Sequence, residues 1–313
     1  MTPDGYHDDV AFAAAVGALS DTQRATRRVL ARSVQGREVT AITVRPAEQS
    51  GLRPQVVVVA GMHGVEVIST ELALRLLEQA TDPDPPERAR SVLAGSDVTI
   101  VPSLNPDGRA AALASLSARR PFNAAPRRNA DGVDLNRNWP WPPGAEDHWS
   151  PLSGTRSTRT PWSRGPHPLS EPETAGFAQL LEELRPVAML NLHSTGQLLT
   201  YPWACRPEPP ADQPAFDAMA TAFRSAQPHV RYRSTQSRAW YPIVGSSNDY
   251  VYDRYGTLAM TVETSPSAYE PRRDPRLARW AFWFANPREV EPHLDNDAPG
   301  CWAALDVALG LRR

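Results

Sequence analysis

The segment from Gln55 to Ala60, QVVVVA, constrains this chain more than any other stretch. It is too short for a helix of ordinary length and too uniformly apolar for a strand with one wet face. Such a run reads as a strand buried on both sides, which occurs where helices cover both faces of a largely parallel sheet. Residues 67–79 then carry apolar side chains at helical spacing. The intervening GMHGVE, residues 61–66, is therefore a turn that leaves the carboxyl end of a central strand and opens a helix. In open α/β sheets, ligands bind at that point. His63 and Glu66 lie on it.

An isolated H-x-x-E arises readily by chance in a chain with seven histidines, so its position gives the pair its weight. A second apolar run, residues 187–192, ends on His193 in NLHSTG and brings a second imidazole towards the same crevice. Two imidazoles and one carboxylate leave the fourth position of a tetrahedral zinc open, the ligand set of a hydrolytic site and not of a structural one. Three other segments bear on this chemistry. NPDG at 105–108 follows a strand-like run, 98–104, and by itself reads as a tight turn. GVDLNRNW at 132–139 gathers Asp134, Asn136, Arg137 and Asn138; it is either a solvated loop or a clamp for a carboxylate, a guanidinium standing beside a carboxamide. Glu263 ends the strand-like run 258–262 and is either an exposed acid or, at the rim of a metal crevice, a candidate base.

Taken in order, H-x-x-E, NPDG, R-x-N-x-x-G-V-D-L-N-R-N, SEPET, NLHS and a late V-E-T resemble the zinc carboxypeptidase family of the carboxypeptidase A type, from about Ser33 to about Glu270. The resemblance implies an α/β fold with a mixed, largely parallel twisted sheet and helices on both faces. It also implies one zinc ion held by His63, Glu66 and His193, carboxypeptidase A being itself the type example of a His₂Glu enzyme. Asp134 matches the carboxylate that accepts the outer N–H of a ligand imidazole. Glu263 matches the general base that takes a proton from the attacking water and passes it to the leaving amine. Arg127 matches the arginine that stabilises the oxyanion, with Arg128, Arg119 and Arg120 as its neighbours in sequence.

The same resemblance assigns the substrate contacts. Asn136 and Arg137 match the pair that binds a terminal carboxylate. Tyr241, in Y-x-x-x-G-S-x-x-D, matches the mobile tyrosine that closes over it, with Trp240, Tyr250 and Tyr252 as competing aromatics. Asn248 stands where the floor of the primary pocket is set, and a carboxamide there suits a polar or small terminal residue. Val65 replaces an arginine that contacts longer peptides in the family, which points to a small peptide or an amidated amino acid as substrate. The implied activity is release of a C-terminal amino acid. An aspartoacylase-type N-acyl amino acid amidohydrolase and a carboxypeptidase trimming peptidoglycan peptides are the alternatives.

Length and composition fit a single catalytic domain over 1–313, with 41% hydrophobic residues. A net charge of −2, with arginine as the sole basic type besides histidine, gives no argument for nucleic acid. No apolar run approaches the ~18 residues needed to span a bilayer, so no membrane partner is expected. The acidic start MTPDGYHDDV lacks the positive segment of a secretory signal, which makes the cytoplasm the default location. Cys205 and Cys301 read as unbridged thiols. Residues 1–32 read as an N-terminal helical stretch, and 139–168 as a long loop that walls the active-site mouth. In SEPET, Ser170 is expected to cap a helix with Glu173 reaching back, making Glu171 and Glu173 capping acids. Ser265–Pro266 is a candidate cis bond that would aim Glu263 into the cleft.

Overall fold

A computed structural model describes residues 5–46, 51–118, 126–145, 150–157, 159–267 and 281–312. Eight strands form one sheet: β1 (Ala25–Arg32), β2 (Glu38–Val44), β3 (Gln55–Ala60), β4 (Asp97–Val101), β5 (Ala188–Ser194), β6 (Leu198–Tyr201), β7 (Arg233–Gln236) and β8 (Leu258–Thr264), in the spatial order β1-β2-β4-β3-β5-β8-β6-β7. The helices among the described residues are α1 (Asp9–Ser20), α2 (Val67–Thr81), α3 (Glu87–Gly95), α4 (Pro106–Ala118), α5 (Pro172–Leu184), α6 (Gln213–Ala226), α7 (Ser237–Trp240), α8 (Ser247–Tyr255), α9 (Ala281–Ala285) and α10 (Glu291–Leu311). None of them is long and apolar enough to cross a membrane.

The central strands β4, β3, β5 and β8 run parallel, while β1, β2 and β6 pair antiparallel to their inner neighbours. The valine run of β3 explains why. Val56 and Val58 enter the larger core, together with Leu190, Leu192 and residues of α2, α6 and α10, whereas Val57 and Val59 enter the opposite core with Met189, Ala259, Trp139 and Phe177. A strand whose two faces are both apolar is stable only between two helical layers. From β3 the chain crosses to β4 on one side, and after β5 it builds β6, β7 and β8 on the other, so β3 and β5 flank the switch point of the sheet. His63 follows the first of these strands and His193 lies near the end of the second.

Several local expectations need correction. Residues 1–32 are not one helix: α1 ends at Ser20, and Ala25–Arg32 is an edge strand paired with β2. Its outer residues are mostly exposed, so hydrophobic alternation is absent and the strand exists through its ladder. NPDG is a helix start. Asn105 accepts the Gly108 amide at 2.8 Å, Pro106 opens α4, and Asp107 accepts from the Ser33 hydroxyl and the Gln35 amide, each at 2.8 Å. SEPET starts α5 at Pro172, but without a capping box. Ser170 donates to Glu171 and accepts from Asn138, while Glu173 accepts from the Val34 amide and Asn129. The bond before Pro266 is not cis; among the described residues the cis bonds fall at Ser194–Thr195 and Pro202–Trp203, and Ser265 takes a left-handed φ of 57° instead.

The turn after β3 meets the start of α4 backbone to backbone. A Cβ on Gly64 would lie 2.1 Å from the carbonyl carbon of Gly108, with no flexible side chain able to yield. Gly64→Ala is therefore expected to destabilise the fold by about 1–3 kcal/mol or more, read as a lowered thermal midpoint.

Candidate active site

Gly61 leaves β3 with a left-handed φ of 63°, and its amide donates to the Ser69 hydroxyl, which folds the chain back towards α2. The Glu66 amide donates to the His63 carbonyl, closing the turn that puts both side chains on one side. Glu66 occupies the cap position of α2, yet its carboxylate makes no cap bond. Asn286 takes over that duty: its carbonyl oxygen accepts from the Ile68 amide at 2.8 Å, and its amide nitrogen donates to the Val65 carbonyl at 2.7 Å. No sequence motif marked Asn286, because its partners are more than two hundred positions away.

The freed carboxylate meets two imidazoles. His63 Nδ1 lies 2.7 Å from Glu66 Oε1, His193 Nδ1 lies 2.7 Å from Glu66 Oε2, and the two Nδ1 atoms are 3.1 Å apart. All three residues are buried. His63 Nε2 donates to Asp134 Oδ1 at 3.0 Å, so its Nδ1 presents a lone pair to the cluster. Two facing ring nitrogens and a carboxylate, all within 4.8 Å of one another, call for a shared cation. A tetrahedral zinc with bonds of about 2.0–2.1 Å separates its ligand atoms by roughly 3.3 Å, close to the spacing found here. The donors therefore fit a zinc ion.

Charge around the cluster is arranged to keep these groups in the required forms. Burial acts to raise the carboxyl of Glu66, but the two imidazoles outweigh it and hold the group below the usual carboxylate range. Burial likewise opposes ionisation of Asp134, and Arg127, His63 and Arg137 reverse the balance. Arg127 Nε donates to Asp134 Oδ2 at 2.9 Å. Glu263 differs: burial is the largest influence and raises its carboxyl to about 8, with Glu66 adding to the rise and His193 opposing it. Its Cα pairs directly with that of His193 in the β5–β8 ladder.

A cavity of about 460 Å³ joins these groups. His63, Glu66, His193, Glu263, Arg127, Asn136, Tyr241 and Asn248 all reach its wall, as do Pro161 and Trp162 of the long loop. Arg128 does not; it donates to the carbonyls of Gly132 and Thr160. Arg119 and Arg120 lie outside the described residues. Trp240 shares the wall with Tyr241, whereas Tyr250 and Tyr252 pack in the two cores. Arg137 is the exception among the expected contacts. Its side chain is fully buried, bonded to the carbonyls of Asn136 and Leu152, and its guanidinium carbon is 5.9 Å from the centre of the Tyr241 ring. Asn136 faces the cavity while its neighbour turns inward. Thr200, Ser237, Ser246 and Thr261 add polar groups to the same cavity wall, and Thr261 accepts from Asn248. Ser246 belongs to the Y-x-x-x-G-S-x-x-D motif, whereas Thr200, Ser237 and Thr261 carried no sequence signal.

A zinc carboxypeptidase (peptidase M14) family model matches residues 16–277. The catalytic chain of rat (Rattus norvegicus) carboxypeptidase N is 26% identical over 286 residues, covering 80% of this chain and 60% of the relative. Carboxypeptidase SOL1 of Arabidopsis thaliana is 26% identical over 275 residues, covering 81% of this chain and 48% of the relative. The chain thus spans 60% or less of the length of these two relatives. The crystal structure of carboxypeptidase A from Helicoverpa armigera superposes with a TM-score of 0.75 at 18% identity, covering 97% of this chain and 74% of that one. With its triad of His63, Glu66 and His193 as the zinc-binding site, the chain belongs to the zinc carboxypeptidase family.

Proposed function

We propose that this chain hydrolyses the C-terminal peptide bond of a small peptide, with Glu263 as general base. The observation that carries the proposal is the convergence of the zinc triad, Glu263, Arg127, Asn136 and Tyr241 on one cavity. Zinc, when bound at the triad, supplies a Lewis acid that polarises a carbonyl and acidifies water. The protein's own groups do the rest. Glu263, whose carboxylate takes no side-chain hydrogen bond among the described residues, would be drawn back towards its ionised form by a cation at the triad, and once ionised it accepts a proton from water and returns it to the leaving amine. Arg127, tied to Asp134 through Nε and with Nη1 3.6 Å from Glu66, presents its guanidinium at the cavity wall to developing negative charge on the carbonyl oxygen. Asn136 and Tyr241 receive the terminal carboxylate. Arg137 orients both of them, through the Asn136 carbonyl and from its place beside the Tyr241 ring.

Asn248 supports a neutral polar specificity. Its Nδ2 donates to Thr261 at 2.8 Å, while its buried Oδ1 lacks a partner among the described residues. The carboxylate of the neighbouring Asp249 is turned to the amides of Ala204 and Cys205 and does not line the cavity. A terminal side chain bearing a hydroxyl or amide donor would satisfy the bare carbonyl, and a purely aliphatic one would leave it unpaired. One feature favours the N-acyl amino acid reading: Val65 and Ala285 form an apolar pair on the cavity wall, a surface suited to an acyl chain. Incubating the zinc enzyme with a mixed library of dipeptides and N-acyl amino acids, followed by mass spectrometry, separates the two. Release of polar neutral C-terminal residues from dipeptides is expected. Cleavage confined to N-acyl amino acids would transfer the assignment to the amidohydrolase class.

A further inference from the structure

Among the described residues no side chain hydrogen-bonds the carboxylate of Glu263, so its heading depends on its own backbone at the end of β8. Two residues later Ser265 adopts φ 57°, a conformation that a residue with a Cβ enters only when its surroundings impose it. What imposes it is visible on both sides of the peptide. The Ser265 carbonyl accepts the amides of Gly196 at 2.9 Å and Gln197 at 3.2 Å, and the Thr195 hydroxyl at 3.1 Å. The Ser265 amide donates to the hydroxyl of Tyr232 at 3.3 Å.

Tyr232 is itself held. Its hydroxyl proton goes to Asp297 Oδ2 at 2.7 Å, and a phenol has only one proton, so the oxygen turns its lone pairs towards Ser265. Asp297, fully buried on α10, has its other oxygen occupied by Gln227 at 3.2 Å and Asn296 at 3.0 Å. Gln227 also accepts the Tyr232 amide at 2.9 Å. Every member of this chain of bonds is committed, and it ends on the turn beyond Glu263.

We propose that Tyr232, oriented by Asp297, is a positioning residue for Glu263, fixing the left-handed turn at Ser265 and with it the direction of the carboxylate. This rests on Glu263 being the general base. The test compares zinc-loaded wild type with Tyr232→Phe and Asp297→Asn, using a cleaved dipeptide, metal analysis, thermal melting and hydrogen exchange. Tyr232→Phe is expected to keep one zinc and an unchanged KM while kcat falls about tenfold, because a small misplacement of a reacting group costs rate more than binding. Exchange at the Gly196 and Gln197 amides should accelerate in the same variant. Asp297→Asn should show a smaller loss in kcat alone, and it keeps the test open should Tyr232→Phe fold poorly. In a Ser265→Gly background, where the left-handed turn is intrinsically accessible, Tyr232→Phe should cost less than about threefold. A full loss in that background, a wild-type kcat in Tyr232→Phe, or a loss confined to KM would overturn the positioning role. Glu263→Gln run in parallel keeps the two ideas apart: if it retains turnover, the base assignment fails, whatever Tyr232 does.

Discussion

Glu263→Gln is expected to bind zinc as wild type does and to lower kcat by about 10²–10⁴-fold, the range associated with loss of a general acid or base. The substitution preserves volume and removes only the capacity to accept a proton. Glu263 is separate from the triad, reaching the cavity from β8 while the ligands come from the turn between β3 and α2 and from β5, so metal content should not move. A second consequence concerns stability. The Glu263 carboxyl is raised from 4.5 to about 8 in the fold, chiefly by burial. A group raised in this way contributes stability that is complete below its unfolded value and lost as pH rises through the folded one. In chelator-treated protein, Glu263→Gln should therefore melt above wild type at alkaline pH, with the advantage fading towards pH 4.5. A variant with normal kcat would falsify the base assignment, and one that lost zinc as well would show that Glu263 acts on the metal site.

The second large effect is expected from His63→Ala. Removing one of three ligands leaves Glu66 and His193 to hold the ion, and it also takes from Asp134 Oδ1 its bond of 3.0 Å to His63 Nε2, leaving that oxygen the Asn136 amide alone. Loss of an outer hydrogen-bond partner alone typically weakens metal affinity by about 10–100-fold, and loss of a ligand should exceed that. Zinc that binds only the folded state stabilises it by about 4 kcal/mol when present at a thousand times its Kd. Adding a chelator should accordingly lower the melting temperature of wild type by several degrees and leave His63→Ala unmoved. Stoichiometric zinc in His63→Ala would remove this histidine from the ligand set.

What the sequence made legible follows from the range of the interactions involved. β3 and the turn carrying His63 and Glu66 could be read because a doubly buried strand and an amphipathic helix both write local patterns. β5 and β8 were legible for the same reason. β1 was not, since an edge strand lined with arginines lacks apolar alternation and is defined by pairing with β2. NPDG was ambiguous because asparagine and proline serve equally in a turn and in a helix cap; the Asn105 bond to the Gly108 amide decides it. The N-R pair at 136–137 marked a carboxylate clamp without revealing that the two side chains part, one to the cavity and one into the interior. Asn286, Tyr232 and Asp297 left no trace in the sequence, since each acts through partners dozens to hundreds of positions away.

The most direct measurement is anomalous diffraction from crystals of the purified enzyme, recorded on both sides of the zinc absorption edge. A single zinc peak is expected about 2.0–2.2 Å from Nδ1 of His63, Nδ1 of His193 and the carboxylate of Glu66. A peak elsewhere in a zinc-replete, active enzyme, or full activity in a protein with no zinc peak at these residues, would contradict it.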